Sequence, residues 1–218
     1  MSKKSVLESP SIVRVQRKDH AQVINIWSNA FVHDPLFQSL FPEKNRVKQL
    51  QQFFHFICMK NISLNELLLG VTDNRDLRGA ASIELPNSTR GAGLLLQPAF
   101  VYHALKLMVH LPKGSRSVLQ AYMQYTTKIR PKEPHHYLVC IGVEPRYHGQ
   151  GVGKVLLQYI HDLVDADPLS TGIGLDTENM DNVQLYEHFG YHLIESKTLG
   201  EITIYGMFRP KHSIYRDK

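Results

Sequence analysis

Residues 143–154 read Val-Glu-Pro-Arg-Tyr-His-Gly-Gln-Gly-Val-Gly-Lys. An apolar run ends there, Pro145 stops it, and glycines alternate before an amphipathic stretch begins. Gly149, Gly151 and Gly153 let the backbone bend so that successive N–H groups point into one concavity. A helix starting at this point turns the positive end of its dipole toward the same place, so the natural guest is a phosphate or pyrophosphate. The spacing argues against two nucleotide loops. A dinucleotide turn needs G-x-G-x-x-G, whereas this one is G-x-G-x-G. A mononucleotide loop needs Ser or Thr after Gly-Lys and an earlier glycine; here Val155 and His148 stand in those places. A tight turn that holds nothing would use the same glycines, so the loop needs support from elsewhere in the chain.

That support lies downstream. Asn179-Met180-Asp181-Asn182-Val183-Gln184-Leu185-Tyr186-Glu187-His188-Phe189-Gly190-Tyr191 places two asparagines, a tyrosine and a glycine–aromatic pair at fixed intervals. With the loop before it, this segment resembles the acyl-CoA motifs of the GNAT superfamily of N-acyltransferases. The loop corresponds to a Gln/Arg-x-x-Gly-x-Gly/Ala frame after a V-x-P strand end, and the downstream segment to N-x-x-N-x-x-x-Y-E-x-x-G-F. The likeness runs over about Tyr137 to Phe208. Within the superfamily, Arg130-Pro131-Lys132-Glu133-Pro134 resembles puromycin N-acetyltransferase and its relatives. His148 departs from the pattern, standing where Gln or Arg is usual; it can donate a hydrogen bond, but a weaker hold on phosphate is expected.

The resemblance implies an α/β fold, with a single mixed, mostly antiparallel central sheet flanked by helices. It implies acetyl-CoA as cosubstrate, and a reaction that moves the acetyl group to a primary amine by direct transfer in a ternary complex. The pyrophosphate would rest on the amides of His148, Gly149, Gln150, Gly151, Val152 and Gly153, with Lys154 and Arg146 near its charge. The pantetheine amides would pair along Ile141, Gly142 and Val143 like an added strand, with Gly142 sparing a side chain where the arm passes. One amide there could stabilise the oxyanion. Tyr186 would protonate the departing thiolate, and Asn179 and Asn182 would contact the cofactor, although Asn182 could instead cap its helix.

An alkylammonium must also lose a proton before it attacks. Asp176, ending the strand before the asparagine segment, is the first candidate for that base. Glu84, Glu133, His136 and a water chain to solvent are its rivals.

These groups need elements to hold them. Ile12–Gln16 reads as a short strand. Asp19 opens a helix with Val23, Trp27, Ala30 and Phe31 on one face. Asp34-Pro35 interrupts it, and Phe37, Leu40 and Phe41 form a further turn. Residues 43–62 read as a helix with Val47, Leu50, Phe54 and Ile57 or Cys58 inward. Two strands, 66–72 and 78–85, flank the turn 73–76. Pro98 starts a helix to about His110 that is apolar on nearly all sides and so is expected to be buried or to line a pocket. Another helix covers 117–129. Strand 136–144, helix 151–166, strand 173–177, helix 182–189 and a hairpin of strands 191–198 and 201–208 complete the chain. The division expected is one domain over 1–218, with 1–135 binding the acceptor and 136–208 binding acetyl-CoA.

Composition narrows the remaining choices. The 218 residues carry a formal charge of +5 with 43% apolar content, which suits a globular chain rather than a disordered one. The basic residues are scattered, with no block that would bind nucleic acid. Cys58 and Cys140 are the only cysteines, so there is no disulfide framework, and no metal-ligand spacing occurs. Residues 1–10 lack the apolar core of a signal peptide, and the Gly91–Leu111 stretch is interrupted by Lys106 and His110, so neither membrane nor export is expected. Together with the resemblance, these features lead to the expectation of a cytoplasmic enzyme without metal. The apolar helix 98–110 and the likeness to puromycin N-acetyltransferase imply a small-molecule amine with an apolar or aromatic body as acceptor. A non-catalytic acyl-CoA sensor, or transfer onto a protein or a charged tRNA, are the alternatives.

Overall fold

The computed structural model describes residues 11–73, 76–88, 93, 96–112 and 114–212. The segment 1–10, the centre of the 73–76 turn and residues 89–92 and 94–95 of the apolar stretch lie outside the described residues. The strands are β1 (Ser11–Arg14), β2 (Leu67–Thr72), β3 (Leu77–Glu84), β4 (His136–Val143), β5 (Gly172–Thr177), β6 (His192–Leu199) and β7 (Ile202–Pro210). The helices are α1 (His20–Ala30), α2 (Pro35–Leu40), α3 (Arg46–Leu64), α4 (Pro98–His110), α5 (Ser115–Ile129), α6 (Val152–Ala166) and α7 (Met180–His188). The strands form one seven-stranded sheet in the order β1-β2-β3-β4-β5-β7-β6. Only β4 and β5 are parallel neighbours, with α6 as the crossover between them; the other pairs are antiparallel.

Strand alternation sends side chains to two cores. Leu68 and Ala80 face the helices α1 to α5, packing with Trp27, Phe37, Phe54 and Leu50. Their neighbours Leu69, Ala81 and Ile83 point the other way, against Leu156, Ile160 and Val164 of α6. Trp27 is fully buried and its indole N–H donates to the Ala80 carbonyl at 3.0 Å, tying α1 to the middle of the sheet.

Two sequence expectations change. Val47 is 47% exposed: the inward face of α3 is Leu50, Phe54, Ile57 and Cys58. The α4 helix meets the second of its two alternatives: Phe100 and Leu107 line a cavity, while Tyr102, Leu105 and Val109 are 62%, 62% and 75% exposed. Only one layer of structure lies beneath it, so a single face finds cover. Finally, α7 begins at Met180, because Asn179 caps it by accepting from the Asp181 N–H at 2.9 Å. Asn182 is inside the helix and caps nothing.

Gly142 also has a different reason from the one its position suggested. A Cβ there would lie 2.8 Å from Trp27 Cδ1 and 3.3 Å from Ala30 Cβ, so the missing side chain makes room for α1. Gly142→Ala is expected to overpack this contact and cost about 1–3 kcal/mol, read from the urea denaturation midpoint. An unchanged midpoint would show that α1 yields freely.

Candidate active site

The site begins where two strands part. β4 and β5 pair only at His136, Tyr137 and Leu138, opposite Ile173, Gly174 and Leu175. Beyond Leu138, β4 stays bonded to β3 as far as Val143, while β5 follows β7. The β4 edge from Val139 to Val143 therefore faces a gap instead of a neighbouring strand, and such an edge can pair with the amides of an extended ligand.

The glycine loop lies at the open end of this gap. Gly149 and Gly151 have φ of +74° and +77°, a conformation that favours glycine, and a Cβ on either would meet nothing within 4 Å. Gly153 lies within the first turn of α6 and needs no such freedom. The first helical bond runs from the Val155 N–H to the Gly151 carbonyl, 3.0 Å, so Val152, Gly153 and Lys154 supply the unpaired amides of a helix start. Exposed backbone, open space and a helix dipole fit a pyrophosphate. Lys154 is exposed in that first turn. His148 turns inward: its Nε2–H donates to the Val143 carbonyl at 3.0 Å and pins the loop to the strand end. Gln150 likewise donates to the Arg146 carbonyl, 3.1 Å. In both cases the side chain braces the loop.

Inside the gap lies a cavity of about 630 Å³. One wall is aromatic and aliphatic, from Phe37, Phe53, Phe54, Phe100 and Leu107; the floor carries Asp34, Asp176 and Glu178, with Tyr186, Ile141 and Asn182 at the β4–β5 gap. Asp176 accepts hydrogen bonds from the phenols of Tyr122 and Tyr137, one on each oxygen. Burial raises its pKa, against those bonds and the nearby Arg130. Burial also raises the Glu178 pKa well above the usual carboxylate range, with the charges of Asp176 and Asp34 adding to the effect. Asp34 caps α2 through Oδ1, accepting from Leu36 N–H at 3.0 Å and Phe37 N–H at 3.4 Å. Burial pushes its pKa up to about 6 against those bonds.

Tyr186 is buried and its pKa is raised, by burial first and then by Asp176, Cys140 and Glu178, so its phenol stays protonated at neutral pH. The Asn182 amide donates to Thr177 Oγ1 at 3.2 Å.

Of the expected residues, the cavity brings together Ile141, Asp176, Asn182 and Tyr186; Gly142, Val143, Asn179 and the glycine loop lie outside its lining. The rival bases fare differently. Glu84 lines the cavity, but it is bound to Lys60 at 2.9 Å and to Arg130 at 2.5 Å. Burial alone would raise its pKa, yet those two cations hold it at about 2. Glu133 is exposed, and His136 is buried against Ser170 and Asp167 outside the cavity lining. Neither can reach an acceptor there. Among the described residues, no group of three or more His, Cys, Asp or Glu is arranged to hold a metal ion, and no helix is long and apolar enough to cross a membrane.

The model of the acetyltransferase (GNAT) family matches residues 116–191. Over those residues the chain is similar to the GNAT acetyltransferase domain. Acetyl-CoA is the cosubstrate of that class. A histone acetyltransferase HPA2-related protein from Corynebacterium glutamicum has the same fold, with 17% identity, 95% of this chain and 99% of that chain covered, and a TM-score of 0.65. So has a PaiA N-acetyltransferase from Thermoplasma acidophilum, solved in complex with coenzyme A, at 13% identity, 93% and 99% coverage and TM-score 0.56. A ribosomal-protein alanine N-acetyltransferase from Escherichia coli aligns at 16% identity, 96% and 98% coverage and TM-score 0.55. No curated protein sequence matches the chain.

The matched part of the GNAT domain runs from α5 through the glycine loop to α7. Asp34 and the aromatic wall lie outside it. Sequence reasoning missed Asp34, Glu178, Tyr122 and Tyr137 as cavity groups. Asp34-Pro35 is legible as a helix start, but nothing local says that this helix faces β5. Glu178 stands two residues from Asp176, the spacing that puts two strand residues on one face, and both line the cavity. Glu84 gives stability that is fully present above its unfolded pKa of 4.5 and lost as pH falls toward about 2. Glu84→Gln, which takes from Arg130 its carboxylate and leaves Lys60 with Glu66 alone, is therefore expected to cost about 3–5 kcal/mol at pH 7. In urea unfolding that difference should shrink as pH drops through this window; a constant difference would show that charge is not its origin.

Proposed function

We propose that this chain acetylates a small-molecule primary amine with an apolar or aromatic body, taking the acetyl group from acetyl-CoA by direct transfer in a ternary complex. The observation that carries the reading is the cavity itself: acidic groups beside Tyr186 at the β4–β5 gap, and an aromatic wall behind them. A cationic amine head suits the first and a hydrophobic body the second. The first 135 residues supply that wall, and residues 136–208 the cofactor side.

The loop from His148 to Gly153 holds the pyrophosphate on its backbone amides, with Lys154 and Arg146 opposing its charge. His148 and Gln150 keep the loop in shape. Ile141, Gly142 and Val143 offer the β4 edge to the pantetheine amides, and an N–H of that edge polarises the thioester carbonyl. Asn179 and Asn182 order the turn from β5 into α7, beside the arm. Tyr186 keeps its proton until the C–S bond breaks, then gives it to the thiolate. Asp176 fixes Tyr122 and Tyr137 and places negative charge where the ammonium docks.

A thiol-release screen of acetyl-CoA against alkylamines, arylalkylamines, lysine and N-terminal peptides tests the substrate class. Activity confined to the peptides, or tight CoA binding with no turnover, overturns it. Tyr186→Phe is expected to lower kcat by about 100-fold or more while the acetyl-CoA KM stays unchanged; an unaltered kcat removes Tyr186 from the acid role. Gly151→Ala forces a side chain into a left-handed turn at a cost of about 1–2 kcal/mol, and calorimetry should show weakened CoA binding.

A further inference from the structure

The base for this reaction has a better candidate than Asp176. Both Asp176 oxygens already accept phenol hydrogen bonds, so an incoming ammonium would have to share them with Tyr122 and Tyr137. Glu178, at the exit of β5, differs. Its Oε1 is buried, has no hydrogen-bond partner and belongs to a side chain that lines the cavity. A buried carboxylate oxygen left without a donor is costly, and such groups are paired in most folds. Here the missing donor is one that the bound substrate brings. Asp34 lines the same cavity and is near enough for the two carboxylates to repel. Its Oδ1 is engaged at the start of α2, as α2 requires of its cap.

Resting on the amine-acetylation reading, we propose that Glu178 is the catalytic base of this site: its free Oε1 takes the proton of the acceptor ammonium, while Asp34 holds the same ammonium from the start of α2. The balance is simple. The ammonium gives one proton to the Glu178 carboxylate and becomes a neutral amine. Its nitrogen pair forms the new C–N bond at the thioester carbonyl carbon. The C–S bond breaks with its electrons on sulfur, and sulfur takes the Tyr186 proton. The second nitrogen proton returns to the Tyr186 oxygen, and Glu178 releases its proton to solvent. Burial and the charges of Asp176 and Asp34 raise the affinity of Glu178 for a proton, and the docked ammonium, by its own charge, favours the carboxylate form that takes one.

Two acceptors separate chemistry from structure. 2-Phenylethylamine is a cation at neutral pH and must lose a proton; phenylhydrazine, a much weaker base, arrives neutral. Glu178→Gln is expected to lower kcat/KM for 2-phenylethylamine by about 10²–10⁴-fold, yet to change phenylhydrazine turnover by less than about tenfold, with acetyl-CoA affinity retained. Glu178→Asp should restore part of the lost rate. Asp34→Asn should raise the KM for 2-phenylethylamine more than it lowers kcat. Equal losses on both acceptors, undiminished activity on the amine, or lost acetyl-CoA affinity would each overturn the assignment. Calorimetry of 2-phenylethylamine with the CoA-loaded protein gives a readout without turnover: Glu178→Gln should weaken binding by about tenfold, the worth of one charged hydrogen bond, and unchanged affinity counts against the proposal. A wild-type protein that binds CoA but neither binds nor acetylates either compound overturns the small-amine reading and this one together. Wild-type turnover that survives Glu178→Gln overturns Glu178 alone.

Discussion

Glu84 lies at the end of β3 between Lys60 of α3 and Arg130 at the end of α5, with all three side chains largely buried. Charges taken from water hold only as a set, because any one left alone would be stranded in a low dielectric. Lys60 also binds Glu66, and Asn61 joins Glu66 to Ser82, so the set reaches from α3 across β3. On its other side, Arg130 lies over the Tyr137 ring at 3.4 Å, and Tyr137 in turn donates to Asp176. One connected polar path thus runs from α3 through β3, α5 and β4 to β5. It sets where the α5 end stands relative to the β4–β5 gap, and the cavity floor depends on that position.

The gap has its own cause. After Leu138, β4 follows β3 and β5 follows β7, so the strands diverge and each keeps its outer partner. A sheet that parts in its middle exposes backbone groups that would be costly unless something used them. Under the proposed function that something is the extended arm of the cosubstrate. Beneath the gap, Asp34, Asp176 and Glu178 share with the ion-paired Glu84 a cavity whose far wall is aromatic. Burial alone would make such a floor unstable, and the phenols of Tyr122 and Tyr137 temper it by donating to Asp176. Glu178 is left with an unsatisfied oxygen, the sort of uncompensated polarity that folds retain where a ligand completes the bonding.

Local sequence carried the elements well, because each has its own punctuation. Pro35 and Pro98 start helices, Gly200 with φ of +62° turns the last hairpin, and Gly149 and Gly151 fall where a left-handed backbone is required. Periodicity located the strands to within a residue or two. It left two outcomes open for α4, which lines the cavity with one face and leaves the other exposed, and it failed for Val47, which fits the helical period of α3 but lies at its open end. Periodicity reports which faces could be buried. The number of layers above them determines which ones are.

Of the site, the sequence by itself determined the part proposed to hold the cofactor: the glycine loop, Tyr186 and the asparagine turn are contiguous motifs, their geometry set by residues a few positions apart. The acceptor half was decided only by tertiary structure. Asp34, Tyr122, Tyr137 and Glu178 come from the start of α2, from α5, from β4 and from the exit of β5, and no spacing along the chain foretells that they meet. Gly142 shows the same division at one residue: its place on β4 was legible, but its reason, the close approach of Trp27, appeared only when α1 was seen packed on the sheet. A loop that binds through its backbone is written in local conformation. A pocket that binds through side chains is written in the packing of distant elements, and burial, which sets how those side chains titrate, exists only once they are packed.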